Sequence, residues 1–532
     1  MINNFPLKKL VLVAGLCLPV FTYAQEAPKT KPNWQNLDLK TDSVFGISTE
    51  KAYNELLKGK KHVTVLVAVI DGGIDVDHED LKKVIWNNPQ ETAANKKDDD
   101  KNGYADDMHG WDFIGSAKGD VHYDNLELTR LVRINNARFA NADSTKLTGK
   151  DLADFKAYSA MKADMDKQVA KAQQTYTVIN KFNTLLDGVL AKLGNQNPSL
   201  DDITKFEPKD NGEAYVKRVL VSALPSFKNV AEFREKEVNG GLTHFKEQLD
   251  YHLNLNFNSR DTVGDNYNNA NERFYGNNDV TGPDADHGTH VAGIIGAIRD
   301  NNLGVMGVAN DVAIMSVRTV PTGDERDKDV ANAIRYAAAN GAKVINMSFG
   351  KSYSYNKKAV DEAVKFALSK DVLLVHAAGN DNNNTEVELN VPNRIYEDKS
   401  GVAGAWIEVG ASGPKDDETL KASFSNYGKT SVDVFAPGVA INSTTPKSAY
   451  AEHDGTSMAA PVVTGLAALI RSYYPKLTAV QVKEIIMKSV VKISHNVEIK
   501  DGETKKEVPF TDLCVTGGVV NAYNALQLAA TY

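Results

Sequence analysis

The run His62–Asp71, HVTVLVAVID, is a nearly unbroken series of β-branched and apolar residues that stops on an aspartate. A strand with one wet face alternates apolar and polar residues, so a run without alternation belongs to a parallel strand covered on both faces. The habit recurs in AIMSVRTV (313–320), AKVINMSFG (342–350), DVLLVHAAGN (371–380) and WIEVGAS (406–412). Between these runs, Asp329–Asn340 and Lys357–Lys370 have the length and three-to-four spacing of amphipathic crossover helices. Such alternation predicts an α/β fold with a doubly wound, mostly parallel sheet. Ligands of these sheets bind at the carboxyl ends of the strands.

From about Val121 to Asn277 the texture changes. Strand runs vanish, and Leu152, Phe155, Met165, Val169, Ala172, Tyr176, Ile179, Leu186 and Leu193 recur at mostly helical spacing. This predicts one long helix, with Thr148 and Asp151 at capping-box spacing ahead of it and Gly194–Pro198 ending it. At ~1.5 Å per residue it extends roughly 65 Å. A second helical stretch, Tyr215–Leu249, is expected to fold back on it, and the apolar stripe reads as helix packing rather than a cofactor site. Residues 121–277 thus form a helical insertion between two parts of the α/β domain, 61–120 and 278–532.

The apolar stretch Leu10–Phe21 follows Lys8 and Lys9 and is too short to span a bilayer comfortably. It reads as a secretory signal peptide, residues 1–24, cleaved after Ala24, with residues 25–60 as an N-terminal arm. The expected destination is the periplasm or the extracellular space, without stable membrane insertion after cleavage. Lipidation of Cys17 is disfavoured, because Leu16 stands where a small residue is wanted. Loss of Cys17 with the signal leaves Cys514 alone and no internal disulfide. With 61 Lys plus Arg against 69 Asp plus Glu, the net charge of −8 argues against a nucleic-acid-binding stripe.

Three segments concentrate chemistry: VAVIDGGID around Asp71, GPDADHGTHVAG around His287 and HDGTSMAAP around Ser457. Asp71 ends a buried strand, while His287 and Ser457 each open an apolar helix, so all three can converge at one edge of the sheet. A serine hydroxyl is a poor nucleophile until an imidazole takes its proton, and the imidazole needs a carboxylate to hold its tautomer. Asn380, at the end of HAAGN, adds a side-chain amide able to stabilise an oxyanion, with the amide of Ser457 as a second donor.

DGGID, HGTHVAG, AAGN and GTSMAAP resemble the four signature blocks of subtilisin-like serine proteases, in the same order Asp, His, Ser. An esterase of the α/β-hydrolase type runs Ser, Asp, His and carries G-x-S-x-G, which Gly455–Ala459 breaks. The similarity covers about 61–115 and 280–532, including INMSFG, SFSNYG and VDVFAPG. It implies a triad of Asp71, His287 and Ser457 with Asn380 in the oxyanion hole, in a secreted endopeptidase that cuts polypeptides through an acyl-enzyme. It also implies that Ser348, Phe349 and Gly350 pair with the substrate backbone, with Ala378 and Gly379 as another wall of the pocket. The pocket floor falls between Asn382 and Pro392, where the sequence departs from the pattern and no residue is assigned. The alternative is an inactive protease-fold scaffold, against which the complete triad argues; hydrolysis of simple esters by the same machinery stays open.

Calcium is the expected metal. Asp98-Asp99-Asp100-Lys101-Asn102-Gly103 fits the first half of a D-x-D-x-N-G loop, but His109 stands where the closing glutamate belongs. That leaves a looser site from Asp98, Asp100 and Asn102, with Asp106 or Asp107 as additions. By resemblance, Asp80 and Asn301 form a second calcium candidate. His290 lacks both a third ligand and an H-E-x-x-H motif, so it reads as a packed histidine rather than a zinc ligand. No organic cofactor is expected. The sequence departs from compact relatives in the spacing of 216 residues from Asp71 to His287. It also departs in an arm shorter than the usual folding propeptide and in Gly72, where a hydroxyl residue is common. The insertion is expected to gate the cleft.

Overall fold

A computed structural model describes residues 30–501 and 504–532; the expected signal peptide, with Cys17, lies outside them. The run at His62–Asp71 supplies β1 (Val65–Asp71), inside a nine-stranded sheet. The other strands in chain order are β2 (Gly110–Asp112), β3 (Val312–Arg318), β4 (Val344–Met347), β5 (Leu373–Ala377), β6 (Trp406–Ser412), β7 (Val434–Pro437), β8 (Val491–Lys492) and β9 (Gly518–Val519). Their spatial order is β8-β9-β7-β6-β5-β4-β1-β3-β2, parallel throughout except for β8 against β9. The winding reverses at β1, which β3 and β4 flank, and the crevice beyond that reversal is where open α/β sheets place their ligands.

Helices cover both faces. α1 (Asp286–Gly296), α4 (Thr456–Tyr473) and α5 (Ala479–Lys488) pack Ile294, Val463, Leu466 and Ile485 on Val65, Val67, Val69, Val375 and Ile407. α2 (Asp327–Ala339) and α3 (Lys357–Ser369) pack Val330, Ile334, Val360 and Val364 on the alternate residues Ala68, Ile70, Met315, Ile345 and Leu374. Both sides of the central strands are therefore dry, which is why the runs lack alternation; each fully buried aliphatic side chain contributes about 1.5–3 kcal/mol. α4 is buried from Thr456 to Ser472 and is accordingly apolar all round.

The chain divides into two compact units, one running to His122 and resuming at Ser259, the other spanning Tyr123–Asn258. Residues 259–277, expected in the insertion, instead belong to the sheet-bearing unit. There Arg260 pairs with Asp265 and Asp329, and Lys328 with Asp265 and Glu272. In the second unit the long helix spans Gly149–Leu193, 45 residues, and ends at Gly194 in a left-handed conformation, φ 63°. Thr148 precedes it without a side-chain cap, and the Asp151 carboxylate pairs with Arg138. The stretch expected at Tyr215–Leu249 is broken: one helix covers Asn211–Ala223, and Pro225, which lacks an N–H, sits in the turn Leu224–Ser226 before helix resumes at Val230. The apolar stripe packs within this unit, Phe182 meeting Tyr215 and Phe233 edge-on. Among the described residues, no helix is long and apolar enough to cross a membrane.

Candidate active site

β1 and α1 bring Asp71 and His287 together. Nδ1 of His287 lies 2.8 Å from Asp71 Oδ1 and 3.0 Å from Oδ2. A carboxylate only accepts, so Nδ1 carries the hydrogen, and in the neutral ring Nε2 then presents its lone pair; among the described residues Nε2 has no hydrogen-bond partner. Asp71 is 1% exposed and held on all sides. Gly72 N donates to Oδ1 at 2.8 Å, supplying a donor beside the position where a hydroxyl is missing, and Thr319 N donates to the Asp71 carbonyl at 2.8 Å. A β-carbon on Gly288 would fall 2.1 Å from the Gly73 carbonyl and 3.1 Å from Asp71 Cβ. The glycine after His287 is thus what admits α1 this close to the strand end.

Ser457 is the second residue of α4, where backbone N–H groups lack intrahelical partners. Its Oγ donates to the Ser348 carbonyl at 3.2 Å rather than to His287, and Ser348 Oγ donates in return to the Ser457 carbonyl at 2.9 Å. Asn380 follows β5. Its Oδ1 accepts from Thr456 N (2.9 Å) and Thr456 Oγ1 (3.0 Å), which fixes the amide so that Nδ2 is turned the other way. Nδ2 of Asn380 and the Ser457 N lie 3.7 and 3.5 Å from the point a β-carbon on Gly455 would occupy, which puts two potential donors close together.

The two segments expected to line the cleft are irregular backbone rather than strand. β4 stops at Met347, and Ser348–Gly350 continue beyond it. Ala378 N donates to the Val409 carbonyl, and Gly379, with φ 100°, passes its N–H to Thr456 Oγ1 at 3.1 Å. Two asparagines that the sequence reading did not single out shape this region. Asn426 donates to the Ala378 carbonyl (2.8 Å) and accepts from Asp381 N (3.0 Å) and Asn383 N (2.8 Å), locking the turn that carries Asn380. Asn390 donates to the Ala377 carbonyl at 3.1 Å, and a β-carbon on Gly350 would fall 2.3 Å from its Oδ1. Asn390 therefore sits between the two walls, inside the segment 382–392 where no floor residue was assignable. The SFSNYG block pointed at Asn426; nothing local in the sequence points at Asn390.

Of the expected metal residues, Asp100 lies in a cluster of carboxylates. Asp98 lies outside that cluster; its two oxygens accept from Asn102 N (3.0 Å) and Gly103 N (2.8 Å) and close the turn. Asn102 faces the wrong way, with Oδ1 accepting from Tyr104 N and Nδ2 donating to Asp100 and Asp107. The carboxylates that do gather are Glu91, Asp100 and Asp107, with ligand oxygens within 4.8 Å of one another. Glu91 was missed because it lies outside the loop motif. Burial, reinforced by the Asp100 charge, pushes Asp107 up to about 6, and an all-oxygen carboxylate set of this kind suits a hard cation. Asp106 is turned to the amides of Asn95 and Lys96. Asp80 and Asn301 come together but bond each other at 2.6 Å; only the buried Asp80 Oδ2 is left without a partner, and burial raises its carboxyl. His290 packs as expected: Nε2 donates to the Ala451 carbonyl, the ring stacks on His453 at 4.1 Å, and burial drives its basicity well down.

A model of the subtilase family matches residues 63–509. A thermophilic serine proteinase of Bacillus sp. (strain AK1) is 37% identical over 243 residues, 45% of this chain and 52% of that protein. Subtilisin DY of Bacillus licheniformis is 37% identical over 198 residues, 37% of this chain and 67% of its own length. Thermitase of Thermoactinomyces vulgaris is 36% identical over 242 residues, 45% of this chain and 75% of thermitase. The matches thus span from about half to three quarters of these relatives.

Proposed function

Because the chain belongs to the subtilase family, we propose that it is an exported serine endopeptidase whose machinery is Asp71, His287, Ser457 and Asn380. The observation that carries this reading is the His287 ring. Its Nδ1 is held on a buried carboxylate and its Nε2 is left unpartnered, at the edge where Ser457 opens α4. The name of the Bacillus sp. relative, a thermophilic serine proteinase, supports it.

Catalysis requires Ser457 Oγ to leave the Ser348 carbonyl and turn to His287 Nε2. Oγ then attacks the scissile carbonyl carbon while Nε2 takes its proton, and Asp71 stabilises the imidazolium. The oxyanion forms between Asn380 Nδ2 and Ser457 N. Collapse breaks the C–N bond, His287 returns the proton to the leaving amine, and an ester on Ser457 remains. Water, deprotonated by His287, attacks that ester and frees the acid. Substrate lies along the backbone of Ser348, Phe349 and Gly350, with Ala378 and Gly379 opposite and Asn390 closing the pocket between them. Glu91, Asp100 and Asp107 would hold a structural calcium ion; bound there, it neutralises crowded charge and takes no part in the chemistry.

Labelling of purified mature protein with a fluorophosphonate tests the reading. Wild type is expected to label, whereas Ser457→Ala and His287→Ala are not. A chelator is expected to lower the melting temperature, an effect that Glu91→Gln abolishes. Failure of folded wild type to label would overturn the enzyme reading in favour of the inactive scaffold.

A further inference from the structure

β5 carries a histidine, His376, in a position otherwise filled by aliphatic residues, and it is fully buried. Its Nδ1 lies 2.8 Å from Glu408 Oε1, and its Nε2 lies 2.7 Å from the carbonyl of Phe349. Behind it, Trp406 Nε1 donates to Glu408 Oε2 at 2.9 Å. A carbonyl can only accept, so Nε2 carries a hydrogen, and a single proton completes the contact between Nδ1 and the carboxylate. Trp406, Glu408 and His376 therefore form one buried hydrogen-bonded chain that ends on the backbone of the substrate wall.

The direction of that last bond has a consequence. The peptide unit joining Phe349 to Gly350 is planar and trans, so its carbonyl and N–H point opposite ways. Holding the Phe349 carbonyl inward on His376 aims the Gly350 N–H outward. Successive carbonyls of an extended segment also alternate, and the Ser348 carbonyl does face the other side, where it meets Ser457 Oγ. Gly350 is exposed, whereas Ser348 and Phe349 are buried.

We infer that His376 is a positioning residue for substrate recognition. It fixes one peptide plane from behind so that the Gly350 N–H is presented to a carbonyl of an extended peptide lying in the cleft. The inference rests on the endopeptidase reading and gives it a substrate class: chains long enough to reach Gly350, not single-residue esters.

The test compares kcat/KM on an N-acylated tetrapeptide anilide with kcat/KM on a single-residue ester, in wild type, His376→Asn and His376→Gln. Asparagine reaches Glu408 but leaves the Phe349 carbonyl without a donor, whereas the glutamine amide reaches that carbonyl. The long-to-short ratio is expected to fall about tenfold in His376→Asn, the scale of one lost hydrogen bond, and to recover in His376→Gln. A ratio unchanged in His376→Asn, or an equal fall on both substrates with a lowered melting temperature, would overturn the inference and leave His376 merely structural. If His376→Asn does not fold, Glu408→Leu, which frees the ring, is expected to lower the same ratio, and an unchanged ratio again overturns the inference. Wild type that turns over neither substrate removes the endopeptidase reading along with it.

Discussion

Lys421 offers a measurable consequence of packing close to the site. Lys421 is 2% exposed, and the oxygens its ammonium reaches are neutral, Asn382 Oδ1 at 2.7 Å and the Ala422 carbonyl at 3.1 Å. Among the described residues it makes no ion pair, and burial, with the charge of Lys500 added, drives it down to about 7 from 10.5. The unfolded chain keeps this proton until about pH 10.4. Between the two values the unfolded state binds one proton more than the folded state, so stability rises with pH across that window, by up to about 1.4 kcal/mol per pH unit. Lys421→Met has no proton to lose. Both proteins, in a Ser457→Ala background that prevents self-cleavage, are unfolded in urea at pH 7.5, 8.5 and 9.5 and followed by tryptophan fluorescence. Wild-type stability minus variant stability is expected to climb by about 2–3 kcal/mol over that range. Lys421→Arg, which cannot shed its charge, is expected to be less stable than Lys421→Met at every pH. A wild-type-minus-Met difference that stays flat from pH 7.5 to 9.5 would refute the reasoning, since it would mean Lys421 keeps its proton in the folded protein.

Asn380→Ala is expected to lower kcat by about 10²–10³ with little change in KM, measured on a peptide anilide, because the amide is engaged only as charge develops; a matched loss in KM alone would count against that role. Asn390→Gly removes the side chain between the walls and is expected to move preference toward larger residues before the cut, by about tenfold in the kcat/KM ratio of Phe to Ala substrates. An unmoved ratio would place the floor elsewhere. His122 and Ser259, where the chain leaves and re-enters the sheet-bearing unit, are both bonded to the segment Thr322–Arg326. Replacing residues 123–258 by a short Gly/Ser linker is therefore expected to leave Ser457 reactive to fluorophosphonate. Equal rates before and after on peptides and on folded proteins would rule out gating.

The sheet was readable because its strands are dry on both faces, which writes itself into composition as unbroken runs. β1, β4, β5 and β6 fall within such runs, and so does β3 but for its first residue, Val312. β2, β8 and β9 are two or three residues long and leave no such trace. Helix length was legible from periodicity in Gly149–Leu193, but Pro225 deserved more weight than the apolar spacing around it. The catalytic candidates stood out because each combines a reactive side chain with a neighbouring glycine, which at Gly73, Gly288 and Gly379 a close approach requires. Asn390, His376 and Glu91 were invisible for the opposite reason. Their meaning lies in which backbone group or carboxylate they meet across the fold, at separations of 13, 27 and 16 residues to Ala377, Phe349 and Asp107, and no local pattern encodes that.

A cleft at the ends of strands poses a problem that side chains must solve. Where the ladder stops, carbonyl and N–H groups lose their partners, and a buried orphan costs about 1–3 kcal/mol. Here the carbonyls at the ends of β4 and β5 are taken up by specific residues: Ala377 by Asn390, Ala378 by Asn426, Phe349 by His376. Each of these side chains also fixes the plane of a peptide unit, since a trans amide whose oxygen is held has its N–H direction decided. The groups that hold the strand ends together therefore also set which backbone donors and acceptors face outward. Ser348 shows the result. Its carbonyl is met by the Ser457 hydroxyl, a contact that the proposed mechanism would exchange for a substrate N–H. Stability at this edge and recognition along it thus depend on the same hydrogen bonds, so substitutions at Asn390, Asn426 or His376 should change both together.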